Sequence, residues 1–178
     1  MRLGLLRHFP VTLPFPSGWR TSTDLQVWLD HYDRAPITPG PSDLGGVPWQ
    51  VCLTSDLPRA LATARAVFPG QVEPTELLRE ARFLPFATGS LRLPVWTWYW
   101  WVRICWMTGH RSQRPCRDEF RIRVRTMANR LSQATQDTLV VSHAGMMAYL
   151  STELRQRGFV GPRLKMAQHA RAYLYQRA

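Results

Sequence analysis

Lysine is almost missing from this sequence. Of its 23 basic residues only Lys165 is not an arginine, and with 12 acidic residues the net charge is +11. So one-sided a choice fits genomic base composition better than selection for a polyanionic partner, although the charge itself would attract anions. The densest arginine cluster, Arg111 to Arg130, encloses Asp118 and Glu119 and holds few aromatics on which bases could stack. A solvated helix face is expected there, and no nucleic-acid partner. Cysteine is scarce too. Cys52, Cys105 and Cys116 are odd in number and lack metal-type spacing, so reduced thiols in a cytoplasmic setting are expected, without a disulfide framework. The sequence offers no convincing metal-ligand cluster, and neither a metal nor a cofactor is expected. No apolar stretch approaches the roughly 18 residues that cross a bilayer, and no basic-then-apolar leader opens the chain. No transmembrane segment is expected. Repeats and low-complexity segments are also lacking.

What remains is a chain of 178 residues, 45% hydrophobic, long enough for one domain with its own core. Three short apolar runs end in polar residues of marked chemistry. Leu3-Gly4-Leu5-Leu6 leads into Arg7-His8, Val51-Cys52-Leu53 into Thr54-Ser55-Asp56 and Arg59, and Leu139-Val140-Val141-Ser142 into His143-Ala144-Gly145. Such runs read as buried strands of a parallel sheet, and open α/β sheets bind ligands beyond the carboxyl ends of their strands. Side by side, the runs deliver two imidazoles and two guanidiniums to one crevice, a set that suits a phosphoryl group.

Between the strands, Thr23 or Asp24 caps a helix to about Tyr32, and the proline- and glycine-rich stretch from Pro36 to Pro48 is a loop. Ser55 or Asp56 is expected to cap the next helix, with Pro58 in its first turn. A short strand follows at Gln71 to Glu73. Helices are expected from Arg117 to Thr135, where Phe120, Val124, Met127 and Leu131 keep helical spacing, and from Ala144 to Gln156. A last strand from Ala170 to Tyr175 closes one edge. Trp96, Trp98, Tyr99, Trp100, Trp101 and Trp106 crowd the span from Pro94 to Met107. Three readings stay open: a cap helix packing its indoles on the core, an exposed patch for a homodimer or a membrane surface, and an aromatic wall of the substrate pocket favouring an apolar leaving group. His31, His110 and His169 show no partners and are expected at the surface.

Arg7-His8, the block from Thr54 to Ala64 with Arg59, Leu77-Leu78-Arg79-Glu80, and Val140 to Gly145 together resemble, in order and spacing, the motifs of the histidine phosphatase superfamily, the phosphoglycerate mutase-like enzymes. The resemblance runs from Met1 to about Leu150. It implies a three-layer α/β/α sandwich with a mostly parallel sheet, as one domain over residues 1–178, with a Trp-rich helical insertion at about 84–115 as a lid. It implies catalytic roles for Arg7, His8, Arg59, Glu80 and His143, and a phosphate cradled by Arg7, His8, Arg59, His143 and Ala144. His8 would be the nucleophile and His143, preferably charged, a donor. Glu80 would be the acid, with Glu73 and Glu76 as neighbouring alternatives. The family usually has glycine after Arg-His; here Phe9 follows, so an apolar wall is expected beside His8. The chain is short for a phosphoglycerate mutase, so the expected activity is metal-independent hydrolysis of a phosphorylated small molecule or phosphoprotein. The alternatives are a non-catalytic phospho-ligand or protein-binding module on the same fold, and an arginine-driven nucleic-acid binder.

Overall fold

Alternation along the first strand sets the layers of the molecule. In the computed structural model, which describes residues 1–177, β1 (Arg2–Arg7) turns Leu3 and Leu5 into one core and Leu6 into another. The chain continues through β2 (Trp19–Arg20), α1 (Ser22–Arg34), β3 (Val51–Ser55), α2 (Pro58–Val67) and β4 (Val72–Thr75). A 3-10 turn (Glu76–Leu78), β5 (Leu93–Pro94), α3 (Val95–Thr108), α4 (Arg114–Ser132), β6 (Thr138–Ser142), α5 (Ala144–Gln156), β7 (Phe159–Val160) and β8 (Ala172–Arg177) follow. The main sheet has the order β4-β3-β6-β1-β8-β7. Its first four strands are parallel; β8 runs antiparallel to β1, and β7 runs antiparallel to β8.

Leu3, Leu5, Leu53 and Val140 pack against Phe120, Val124 and Met127 of α4 and against Met146, Met147 and Leu150 of α5. On the other face Leu6, Cys52, Leu139 and Val141 meet Ala60 and Ala64 of α2. This is the expected α/β/α arrangement around a mostly parallel sheet. Each fully buried leucine contributes roughly 1.5–3 kcal/mol. Gly4 permits one close approach, because a Cβ there would lie 2.6 Å from the Trp49 ring.

Several boundaries differ from expectation. α1 starts earlier, since Thr21 is its cap and Asp24 returns the bond to complete a capping box. Neither Ser55 nor Asp56 caps α2. The cap is Leu57, with no side-chain bond and with Pro58 filling a position that needs no donor. Ser55 instead accepts from the Leu57 N–H at 3.3 Å, and Asp56 is drawn away by Arg79. α4 begins at Arg114 and stops at Ser132. The last strand is not an edge, because β7, too short to show periodicity, lies outside β8. In α3, Trp98 and Trp106 are buried while Trp96, Trp100, Ile104 and Met107 form an exposed stripe. Among the described residues no helix is long and apolar enough to cross a membrane.

Candidate active site

Strand register brings the two histidines together. β1 and β6 pair in parallel with Arg7 opposite Ser142, and the ladder runs one residue further as the His8 N–H donates to the Ser142 carbonyl at 3.0 Å. The next residues, His8 and His143, therefore leave the carboxyl ends of adjacent strands with ring centres 5.1 Å apart. α2 adds Arg59 from its first turn. Arg7, His8, Arg59, Glu80, His143 and Ala144 all line one cavity of about 150 Å³. The five residues expected to be catalytic, together with Ala144, thus meet at a single place.

His8 is held as one tautomer. Its Nδ1 lies 2.6 Å from the Phe9 carbonyl, and since a carbonyl only accepts, Nδ1 carries the proton and Nε2 the lone pair. Burial pushes its pKa down to about 3; the Phe9 bond opposes this, and the charges of Arg59 and Arg7 and nearby His169 reinforce it. His143 is enclosed and neither ring nitrogen has a hydrogen-bond partner. Burial, then Arg59, hold it well below the usual histidine range. The expected charged donor is therefore neutral in the free protein, with one N–H still to offer. Phe9 does not form the expected apolar wall. It is turned into the interior, with its N–H donated to Thr63 Oγ1 at 2.9 Å; Leu29, Leu57 and Phe83 are the apolar residues at the pocket.

The guanidiniums are only partly satisfied. Arg7 donates to the Ala167 carbonyl at 2.8 Å, and Arg59 pairs with Asp33 at 2.6 Å and lies 5.1 Å from the Tyr32 ring. Nε of each is buried without a partner. Buried donors left unmade are costly, and these two could each take a further acceptor. Asp33 had no signal in the sequence, because α1 meets α2 only through tertiary packing.

Glu80 takes a place at the head of α5. Its carboxylate accepts from the N–H groups of Gly145 at 3.0 Å and Met146 at 3.1 Å, replacing the side-chain cap that His143 does not provide. Gly145 leaves room for this carboxylate, since a Cβ there would lie 2.5 Å from a Glu80 oxygen and Glu80 would have to shift. The strand-side support of this segment is the Ser142 hydroxyl, which donates to the Leu78 carbonyl at 2.8 Å. Arg123 of α4 donates to the Arg79 carbonyl at 2.7 Å. Its side chain is only 14% exposed, so at least this member of the arginine cluster is not on a solvated face. Glu73 is tied to Arg130 and Glu76 to Arg79; neither lines the pocket.

His169, expected at the surface, is a neighbour of the site. Its Nδ1–H donates to the His8 carbonyl at 2.6 Å, and the rings stand 5.3 Å apart. The approach uses Ala170 in a left-handed turn (φ 55°), whose N–H bonds the Arg7 carbonyl at 2.9 Å. Nothing in the local sequence signals this, since β8 is brought beside β1 by long-range pairing. The Trp-rich α3, expected as a lid, contributes no side chain to this pocket. It lines an adjoining apolar groove instead.

The sequence profile of the Histidine phosphatase superfamily (branch 1) matches residues 41–173. No curated protein matches the chain. Among solved structures, an Escherichia coli protein assigned as an alpha-ribazole-5'-P phosphatase aligns with TM-score 0.53 and 24% identity, over 85% of this chain and 78% of that one. A mycobacterial glucosyl-3-phosphoglycerate phosphatase gives 0.53 and 19%, over 85% and 77%. A phosphoglycerate mutase from Bacillus anthracis gives 0.54 and 14%, over 98% and 88%. At these identities the likeness establishes the fold.

Proposed function

Because the chain belongs to the histidine phosphatase superfamily, we propose that it hydrolyses a phosphomonoester or phosphoprotein through a phosphohistidine on His8, without a metal. The observation that carries the reading is the state of His8: a neutral imidazole, fixed through Nδ1, with its Nε2 lone pair left free beside two guanidiniums. In the first step that lone pair attacks phosphorus in line, the P–N bond forms and the P–O bond to the alcohol breaks. Glu80, protonated for this step, gives its proton to the departing oxygen. In the second, water attacks phosphorus, its proton passes to the Glu80 carboxylate, the P–N bond breaks and orthophosphate leaves. Arg7 and Arg59 neutralise the non-bridging oxygens, and the His143 and Ala144 N–H groups supply further donors as charge spreads in the transition state. An arriving phosphate competes with Glu80 for the head of α5 and with Asp33 for Arg59, which frees both carboxylates. In this proposal residues 1–178 act as one domain with the insertion at about 84–115.

A second reading rests on the same two carboxylates. In the free protein Glu80 and Asp33 already occupy anion-binding groups, as in a module that binds a phosphorylated partner without turnover. Hydrolysis of p-nitrophenyl phosphate separates the two. Wild type releases p-nitrophenol and His8→Ala does not if the enzyme reading holds; equal inertness of both toward a broad phosphate panel favours the binding module.

A further inference from the structure

Next to the anion pocket lies a second cavity of about 180 Å³, lined among others by Leu25, Trp28, Phe83, Trp98 and Val102. The two share Gln26, Leu29 and Phe83 as walls, so the cavities adjoin. α1 supplies the continuity. Its positions 25, 28, 29, 32 and 33 lie on one face, and along that face the chemistry passes from Leu25 and Trp28 to Tyr32 and Asp33. The rings form a connected series: Tyr99 meets Phe15 at 6.2 Å, Phe15 meets Trp28 at 5.4 Å, and Trp28 meets Tyr32 at 5.1 Å. Tyr32 in turn stacks on Arg59. An aromatic track thus ends on the guanidinium proposed to hold phosphate.

Three polar groups on the wall of this groove are already committed, and Arg103 lies over the Tyr99 ring at 4.1 Å. Trp98 Nε1 donates to the Arg20 carbonyl at 2.7 Å, and Trp28 Nε1 donates to the Pro14 carbonyl at 3.1 Å. The Ser22 hydroxyl accepts from the Phe86 N–H at 2.6 Å. What the wall offers a ligand is ring and alkyl carbon, which binds apolar groups and discriminates against sugars and polyols, whose hydroxyls would go unpaired. The size is also limited, since a dry cavity of about 150 Å³ holds a benzene.

We propose that this groove is the subsite for the alcohol part of the substrate, and that the substrate is a phosphomonoester of a compact apolar alcohol about one aromatic ring in size. The assignment rests on the reading of the adjoining pocket as a phosphate site. Hydrolysis of benzyl phosphate and of glycerol phosphate by wild type gives a ratio of kcat/KM values, and at least a tenfold preference for the benzyl ester is expected. Val102→Phe, which fills the groove, should bring that ratio toward one. Val102→Ala, which enlarges it, should keep the preference and extend it to a naphthylmethyl ester. The same comparison is made without chemistry, by calorimetry of His8→Ala with benzylphosphonate and methylphosphonate. Tighter binding of benzylphosphonate by tenfold or more, lost in Val102→Phe, supports the subsite even if no ester is hydrolysed, an outcome that would sink only the phosphatase reading. Equal affinities and a flat kcat/KM ratio overturn the subsite and leave that reading standing.

Discussion

The imidazoles of His8 and His143 lie with ring centres 5.1 Å apart and planes tilted by 59°, yet only one of them has a hydrogen-bonded anchor. His8 is pinned through Nδ1 to the Phe9 carbonyl, whereas both nitrogens of His143 are unpartnered and buried. The asymmetry suits different tasks: a nucleophile must point one lone pair at phosphorus, while a donor can wait for an oxygen to arrive. Replacement of His8 by Ala is expected to lower kcat by about 10³-fold or more, as loss of a covalent nucleophile does elsewhere. His143→Ala should cost less, about 10²–10³-fold, in keeping with loss of one transition-state donor. Steady-state kinetics on one ester measures both, and a His143→Ala loss larger than that of His8→Ala would reverse the assigned roles.

Acid should unfold this protein more readily than it stops the nucleophile. His8 keeps its neutral form down to about pH 3, so kcat/KM should show no acid limb near 6.5 arising from that residue. Stability behaves differently. Between 6.5 and about 3 the unfolded chain binds a proton at this position that the native state refuses, so stability falls as pH falls through that window. His143, also held low by burial, adds to the slope, each histidine contributing at most about 1.4 kcal/mol per pH unit. Denaturant melts between pH 7.5 and 5 check this. His143→Leu should flatten the slope, and an unchanged slope would contradict burial as the cause.

Glu80 can be tested through the leaving group. If it protonates the departing oxygen, Glu80→Gln should slow an alkyl phosphate by about 10²–10⁴-fold and p-nitrophenyl phosphate much less, because p-nitrophenolate leaves without a proton. Arg123→Ala, which removes the donor to the Arg79 carbonyl, should reproduce that pattern in weaker form. Uniform losses across both esters would point to a purely structural role at the head of α5.

In the proposed reading, Asp33 and a substrate phosphate compete for the Arg59 guanidinium. Asp33→Asn leaves Arg59 buried and without its counter-charge, so the empty protein should lose about 1–3 kcal/mol, less than a fully enclosed pair because Asp33 is 30% exposed. Inorganic phosphate should bind more tightly to the variant and return the lost stability. Thermal melts with and without phosphate decide; weaker phosphate binding by Asp33→Asn would show that the carboxylate helps the site.

Much of this was legible in local sequence. The runs ending in Arg7-His8 and Ser142-His143 announce buried strands, and a parallel sheet forces such ends to one side, so the imidazole pair follows from two short motifs. Glu80 was legible only through its resemblance to a family motif. Asp33 and His169 were not legible at all. Asp33 depends on α1 packing on α2, His169 on an antiparallel strand returning beside β1, and neither long-range contact leaves a local periodicity. Phe9 shows the complementary failure. Its place after His8 is plain from the sequence, but whether its ring faces pocket or core is decided by packing around Thr63.

The most direct test is to trap the intermediate. Wild-type protein mixed with a labelled phosphomonoester and quenched in alkali within one turnover should carry acid-labile, base-stable label, located by peptide mass spectrometry on His8. His8→Ala should carry none. Label on any other residue, or turnover by wild type with no labelled protein at any quench time, would contradict the account.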